Sequence, residues 1–168
     1  MTGVEMAVNI TDAEIAALIA EAKPLPNDYQ KKTQTNPKRG HRERELDIQG
    51  ANGNSFRLIL RLSLFNPLYF SVILAWLPPQ IGTPFRLRRY NGKSHEHTNT
   101  LESHKFYDFH VHRATERYQK SGLREDAFAD PTDRYQDFGG ALLCMIEECG
   151  FQLPDNPQSG LFETECEP

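Results

Sequence analysis

The chain has 168 residues, of which 38% are hydrophobic and 25% are charged, and its formal net charge is −4. Such a length fits one domain that can bury a core without disulfide staples, and it argues against two full domains. The longest apolar stretch, residues 58–77, contains Arg61, Asn66 and Pro67, which excludes a membrane span.

The N-terminal region predicts one short helix followed by a loop. Residues 1–10 lack the basic start and the long apolar run of a secretory signal. Thr11 and Glu14 form a capping box at the start of the helix, and Pro24 cannot continue it. Residues 24–40 are polar and rich in turn formers, which predicts a loop or linker. The three cysteines are odd in number, and Cys144 and Cys149 lie five positions apart on one predicted helix, where a disulfide between them is geometrically poor, so we expect a reduced, cytoplasmic protein. The cysteines also lack the paired spacing of a zinc site.

Alternation of apolar and polar residues predicts five antiparallel strands. The clearest alternation is in residues 56–65, where every second residue is apolar and Arg57 and Arg61 lie on the opposite face. The turn formers at 51–54 predict a hairpin with the preceding strand. The five predicted strands are 42–48, 56–65, 69–77, 85–90 and 106–113.

A closing helix and one shared core complete the predicted fold. The helix begins near Asp133 and ends at Gly150, because glycine suits the conformation that follows a helix. We therefore predict an α+β fold in which a five-stranded antiparallel meander is packed by an N-terminal and a C-terminal helix. Residues 1–151 form this single domain, and residues 152–168 form a disordered acidic tail. The predicted core residues are Phe56, Leu58, Leu60, Leu62, Tyr107, Phe109, Val111, Leu142 and Ile146.

Charge is segregated along the chain. Between positions 31 and 93 there are 12 Lys or Arg against 3 acidic residues, whereas the other segments are acidic. Period two places two arginines on one face of the second predicted strand and two on one face of the fourth, so a basic sheet face can collect phosphates. Tyr90 or Trp76 is available for stacking. The alternative is that acids of the same domain neutralise the arginines. The predicted phosphate-binding residues are Arg57, Arg61, Arg86 and Arg88.

Histidine is concentrated in one segment, because five of the six histidines lie between positions 95 and 112. In the predicted strand 106–113, period two places Asp108, His110 and His112 on one face, about 6 to 7 Å apart. This spacing can bracket one small ligand. The predicted functional centre is therefore this strand face together with the loop that contains His95 and His97.

Three chemistries fit the histidines. Two imidazoles can act as general base and general acid on a phosphodiester, and the predicted catalytic residues are then His97, His110 and His112. Alternatively, the histidines bind Zn²⁺ or another divalent metal, with Asp108 or Glu96 as a further ligand. The metal ligands are then drawn from His95, His97, His110 and His112. In the third interpretation the histidines are structural and bond to nearby backbone and carboxylate groups.

Three short motifs are shared with a group of known proteins. They are Arg-Leu-Arg-Arg-Tyr-Asn-Gly at 86–92, His-Thr-Asn at 97–99 and His-Val-His at 110–112. The motifs occur in this order within residues 56–151. In this respect the chain resembles small uncharacterised bacterial and phage-associated proteins in which a His-Thr-Asn turn precedes a His-x-His strand. The resemblance implies a prokaryotic setting and a link to toxin–antitoxin or other mobile-element systems. It transfers no catalytic role.

These patterns favour a small nucleic-acid-processing protein, such as a toxin-like ribonuclease acting on RNA or another phosphate-bearing ligand by histidine acid–base chemistry. The alternative is a non-enzymatic regulatory or antitoxin-like module, with protein contacts through the sheet face or the acidic tail. A metal-binding module is the third alternative. An enzyme requires His97, His110 and His112 around one cleft with an arginine, whereas an interaction module leaves them dispersed beside an exposed apolar patch.

Overall fold

The structure is a computed structural model that describes residues 8–155, and it has an α+β fold built on a large antiparallel sheet. The helices are α1 (Asp12–Ala20), α2 (Tyr29–Lys32), α3 (Glu116–Lys120) and α4 (Phe138–Glu148). The strands are β1 (Lys23–Pro24), β2 (Asn36–Lys38), β3 (His41–Gln49), β4 (Ser55–Ser63), β5 (Phe70–Leu77), β6 (Phe85–Asn91), β7 (His97–Asn99), β8 (His104–Phe106), β9 (His110–Arg113), β10 (Phe128–Pro131) and β11 (Phe151–Gln152).

The main sheet has seven strands, not the predicted five, in the order β10-β9-β6-β5-β4-β3-β2. The two strands missed by sequence are the edges, β2 inside the predicted loop 24–40 and β10 in the connector after β9. Both contain a proline and have only three or four residues, so neither shows an alternating pattern. Proline is tolerated at an edge because one side of an edge strand needs no backbone donor.

One face of the sheet forms the main core under α1 and α4. Of the predicted core residues, Phe56, Leu58, Leu60 and Val111 are buried, and Leu62, Phe109, Leu142 and Ile146 pack against them while partly buried. Tyr107 is 52% exposed, so its assignment to the core is wrong. The predicted fifth strand breaks between β8 and β9, and the alternation therefore does not continue through residues 107–109.

The opposite face, here called the open face, is shaped by an irregularity in β6. Ala75 pairs with Arg86 but Leu74 pairs with Arg88, so Leu87 is an extra residue in β6 at this point. A bulge of this kind shifts the alternation by one residue. Arg86 and Arg89 consequently share the open face, whereas Arg88 lies on the helix side, 3.8 Å from Glu148. The prediction that Arg86 and Arg88 share a face is therefore wrong.

Helix α1 is capped at its start as the capping box predicted. The hydroxyl of Thr11 accepts a hydrogen bond from the Glu14 amide.

A buried lysine joins the C-terminal ends of α1 and α4. The fully buried Lys23 donates to four backbone carbonyls. They belong to Leu18, Ile19, Glu21 and Cys149, at 2.8 to 2.9 Å. Because these carbonyls end α1 and α4, one ammonium group fixes both helices against β1 and β11.

The C-terminal boundary differs slightly from the prediction. Gln152 belongs to β11, which pairs in parallel with β1, so it is part of the domain and not of the predicted tail. Helix α4 begins at Phe138 with Asp137 as its N-cap, later than predicted, and Gly150 follows it with a φ of 76°. The remaining tail residues from 156 onward lie outside the described residues. Within residues 8–155, no helix has the length and apolarity needed to cross a membrane.

Candidate metal centre and basic cleft

Three histidines converge on the open face. His110 and His112 project from β9, and His97 projects from β7, in the β7–β8 hairpin that folds back against that face. One nitrogen from each ring lies within 4.8 Å of the corresponding nitrogens of the other two. The ring centroids are 4.9 to 5.2 Å apart. These three imidazoles, called here the histidine centre, could hold one metal ion.

Asn99 holds His97 in place. Its side-chain amide donates to the carbonyl of Ala129 at 2.8 Å, and its Oδ1 accepts from the Ala129 amide at 2.9 Å. These two bonds fix which end of the amide is oxygen, and that oxygen also lies 2.9 Å from Nε2 of His97. Because Oδ1 is an acceptor, Nε2 carries the hydrogen. Asn99, only 3% exposed, therefore joins the hairpin to β10 and orients the imidazole.

Backbone carbonyls orient the other two rings. The Nδ1 of His110 lies 2.8 Å from the carbonyl oxygen of Asp108, and the Nδ1 of His112 lies 2.7 Å from that of Asp126. A carbonyl can only accept, so both Nδ1 atoms carry hydrogen and both Nε2 atoms present a lone pair. Among the residues that the structure describes, the buried Nε2 of His110 has no hydrogen-bond partner. A lone pair buried in this way lacks the partner that buried polar atoms normally have.

Burial keeps these imidazoles neutral. Desolvation lowers the pKa of His110 to about 4, opposed by its bond to Asp108. Desolvation, with the charge of Arg89 as the second cause, lowers the pKa of His112 to about 2. The pKa of His97 is lowered for the same first reason, and its bond to Asn99 opposes the shift. Neutral imidazole is the form that binds metal ions.

The histidine centre opens into a cleft of about 630 Å³ on the open face. Five arginines line this basic cleft, namely Arg39, Arg61, Arg86, Arg89 and Arg124. His95, His97 and His112 line it as well. Glu43 is the single acidic residue in the lining within the described part of the chain. The cleft therefore has an excess of positive charge beside the histidines.

The arginines differ in how firmly they are held. Arg89 pairs in register with His112, and its Nε donates to the buried carboxylate of Asp126 at 3.1 Å. Arg124 binds the same carboxylate at 3.1 Å, so one acid fixes two guanidinium groups. Within residues 8–155, no hydrogen bond or ion pair engages the guanidinium groups of Arg39 and Arg86. Two arginines are thus preorganised, and two are available to a ligand.

Some residues predicted from sequence lie apart from this centre. His95 lines the cleft, but its ring is 6.2 Å from that of His110 and its Nδ1 lies 3.0 Å from the Ser94 hydroxyl. Arg57 is bound by Asp47 at 2.7 and 3.2 Å and lies outside the cleft lining.

The aromatic residues predicted to stack are also elsewhere. Tyr90 is fully buried in the main core, and Trp76 packs on Phe85 at the same core.

Sequence reasoning missed Arg89, Arg124 and Asn99 as parts of the site. Arg89 was not predicted to share a face with Arg86, because an alternating pattern of residues cannot reveal the bulge at Leu87. Arg124 is brought to the cleft by Asp126, with which it has no recognisable motif. For Asn99 the sequence did contain a signal. Asn99 lies two residues after His97, and residues two positions apart share one face of a strand, as His110 and His112 do.

Comparisons with known proteins find no match to this chain, whether among protein-family models, curated proteins or solved structures. The geometry of the histidine centre and the basic cleft is therefore the basis for the functional proposal. Three neutral imidazoles beside an arginine-lined cavity can combine metal binding with recognition of an anionic ligand.

Proposed function

We propose that the protein is a metal-dependent hydrolase of phosphate esters, with Zn²⁺ bound by His97, His110 and His112. The observation that carries this proposal is the buried Nε2 of His110, which has no hydrogen-bond partner among the described residues, in a set of three imidazoles whose ligand nitrogens lie within 4.8 Å of one another. A metal ion supplies the missing partner. Hydrogen bonds from the far nitrogens to Asp108, Asp126 and Asn99 are the outer-shell contacts that metal-binding histidines typically make.

Zinc suits this centre because all three donors are imidazole nitrogens. Catalytic zinc sites commonly have three protein ligands and keep one position open for water. His95 also lines the cleft, outside the three-histidine set, with its ring centroid 6.2 Å from that of His110. Imidazole also binds Cu, Fe and Ni ions, and metal analysis distinguishes these from zinc.

Metal binding is favoured over acid–base catalysis by the environment of the rings. A general acid must carry a proton at the working pH. The pKa values of about 4 and about 2 leave His110 and His112 neutral near pH 7. Both rings can then bind a metal, but neither can supply the proton that a two-histidine ribonuclease mechanism requires.

The proposed reaction adds water across a P–O ester bond. Zinc held by the three histidines would supply a water of lowered pKa and a positive charge for the phosphate. In the hydrolysis, the oxygen of water would form the new bond to phosphorus, and the ester oxygen would leave with its bonding electron pair and take up a proton in place of the one that the water gives to solvent. Arg89, held by Asp126, and the unpaired Arg86 supply positive charge for the phosphate oxygens as negative charge develops.

Metal content and phosphodiesterase activity test this proposal. The purified protein is expected to contain about one zinc per chain by elemental analysis, and to hydrolyse bis(p-nitrophenyl) phosphate. His110→Gln should lose most of the metal and lower kcat/KM by about 100-fold or more, since each ligand is needed for the site. The matched control is His104→Gln, which changes an exposed histidine outside the centre.

The outcomes separate the candidate functions. Bound zinc without hydrolysis would leave a metal-binding module and overturn the hydrolase. Activity that persists in a strong chelator would overturn the metal mechanism and favour acid–base chemistry. Metal binding that is equal in the wild type and in His110→Gln would place the ion elsewhere.

A further inference from the structure

An apolar hairpin tip lies beside the basic cleft. The residues between β4 and β5 include four large apolar side chains with high exposure. They are Leu64 at 46%, Phe65 at 85%, Leu68 at 40% and Tyr69 at 57%. Half of the eight exposed large hydrophobic residues in the described part of the chain therefore lie within six consecutive positions. Exposed apolar residues concentrated in this way mark an interaction site, whereas isolated ones do not.

Local hydrogen bonds preform this tip. The Ser63 hydroxyl accepts from the amides of Phe65 and Asn66, each at 3.1 Å. The Asn66 side chain accepts from the Leu68 amide at 3.0 Å. Gly92 lies so close that a Cβ there would be 1.9 Å from the Leu68 carbonyl oxygen, which only glycine permits. The aromatic side chains are thus presented from an ordered turn, which lowers the entropy cost of binding.

The tip is continuous with the basic cleft. Tyr69 itself lines the cleft, as does Gly40 from the turn between β2 and β3. The ring of Phe65 lies against that turn, since a Cβ on Gly40 would be 3.7 Å from the Phe65 Cε2 atom. One surface therefore runs from the histidine centre, past the arginines, to two exposed aromatic rings.

This combination points to one class of ligand. We infer that the substrate is single-stranded nucleic acid, with phosphates along the arginines of the cleft and bases stacked on Tyr69 and Phe65. The inference rests on the proposed phosphate-ester hydrolase. Five arginines exceed what one phosphate needs, and a chain of phosphates uses them in sequence. Single strands leave base faces free to stack on aromatic side chains, whereas a duplex buries them.

Binding of short oligonucleotides tests the inference separately from hydrolysis. Fluorescence anisotropy with full-length protein as purified would use phosphorothioate-linked U12 and dT12, and a 12-base-pair duplex as comparison. We expect both single strands to bind more tightly than the duplex. The ratio of the U12 and dT12 affinities then shows which sugar is preferred. Because these probes are measured by binding alone, binding without hydrolysis retains the tip's role and removes only the enzymatic proposal.

Substitutions locate the bound strand. Phe65→Ala with Tyr69→Ala should weaken single-strand binding by about 30-fold or more, since the two changes together remove two stacked bases. The control is Tyr107→Ala, which removes an equally exposed aromatic ring outside the cleft lining. Arg86→Ala should weaken binding to every sequence and reduce the salt slope by about one.

Other results would overturn the inference. Unchanged oligonucleotide affinity in the double variant would remove the stacking role, and equal affinity for the duplex would remove the preference for single strands. Binding to vesicles of phosphatidylcholine and phosphatidylserine that the double variant abolishes would instead assign the tip to a membrane surface. A wild-type dimer that the double variant converts to a monomer would assign it to a second copy of the chain.

Discussion

In each histidine of the centre, the group that is hydrogen-bonded to one ring nitrogen fixes which of the two nitrogens carries the hydrogen. Carbonyl oxygens fix the hydrogen on Nδ1 of His110 and of His112, and Asn99 fixes it on Nε2 of His97. The Nε2 atoms of His110 and His112 therefore present lone pairs, and burial makes protonation of those nitrogens costly. The surroundings of the three imidazoles thus hold the rings neutral and in fixed orientations.

The lowered pKa values predict that the metal-free protein loses stability in mild acid. The ordinary histidine value of 6.5 applies to the unfolded chain, while the folded pKa is about 4 for His110 and about 2 for His112. Below pH 6.5 the unfolded state binds more protons than the folded state, so stability falls as the pH falls. Each histidine removes about 1.4 kcal/mol per pH unit, until the pH reaches its folded pKa.

Urea unfolding of chelator-treated protein at pH 7.0, 6.0 and 5.0 measures this effect. In His110→Gln the dependence of the unfolding free energy on pH should be about half as steep between pH 6.5 and 5, because one of the two strongly shifted groups is gone. If the unfolding free energy of the unmodified chain is the same at pH 7 and pH 5, the rings are not held neutral by the fold.

The β7–β8 hairpin is the element that completes the histidine centre. Strand β9 alone supplies His110 and His112, and the third donor comes from this hairpin, where Asn99 binds the backbone of Ala129 on β10. Ala129 is fully buried, so its amide and carbonyl depend on this side chain for hydrogen bonds. Asn99 thus joins the hairpin to the sheet edge and also orients His97.

Asn99→Ala should weaken zinc binding by about 10- to 100-fold, because an outer-shell contact that orients a ligand is lost. It should also lower the free energy of unfolding by about 1 to 3 kcal/mol, since the Ala129 amide and carbonyl lose their partners. Competition with a chromogenic chelator gives the zinc affinity. Thr98→Ala, an exposed change on the same strand, should match the wild type. A normal zinc affinity in Asn99→Ala would restrict Asn99 to a structural role.

Strand β6 determines which arginines face the cleft. Its extra residue at Leu87 brings Arg89 opposite His112 and sends Arg88 towards Glu148 on α4. A regular strand would have placed Arg86 and Arg88 together. The bulge therefore positions a preorganised guanidinium beside the histidine centre, in keeping with the frequent occurrence of bulges at active sites.

The molecule as a whole assigns different tasks to the two faces of one sheet. The helix side contains the main core under α1 and α4, with Lys23 joining the helix ends. Within the described part of the chain, the open face has a small apolar cluster of Ile59, Ile73 and Ala75 beneath the charged groups. Stability therefore derives mainly from one face, which leaves the other free to concentrate arginines and histidines.

Shortening one side chain at the centre of the core tests whether stability derives mainly from the helix side of the sheet. Leu60 is 1% exposed on the helix side of β4, and Leu60→Ala should lower the free energy of unfolding by about 2 to 5 kcal/mol. Leu64→Ala, at a 46% exposed position, should change it by less than about 0.5 kcal/mol. Thermal and urea melts provide both values. If the free energy of unfolding fell by a similarly small amount in both variants, β4 would not lie at the centre of the core.

Local sequence patterns were sufficient for much of the framework. The capping box of α1, the alternating β4 and the α+β class agree with the structure, because each depends on residues only two to four positions apart. The same period placed His110 and His112 on one strand face. The density of histidines also indicated where a functional centre should be sought.

The remaining features depend on contacts between distant residues. The break between β8 and β9, the bulge in β6 and the two edge strands leave no periodic signal. Asn99 binds Ala129 thirty positions away, and it brings His97 to His110 and His112 through that contact. Period two identifies the face on which a side chain lies, but it contains no information about which loop folds over that face. The donor set and the arginine lining of the cleft were therefore fixed by long-range hydrogen bonds and by strand pairing.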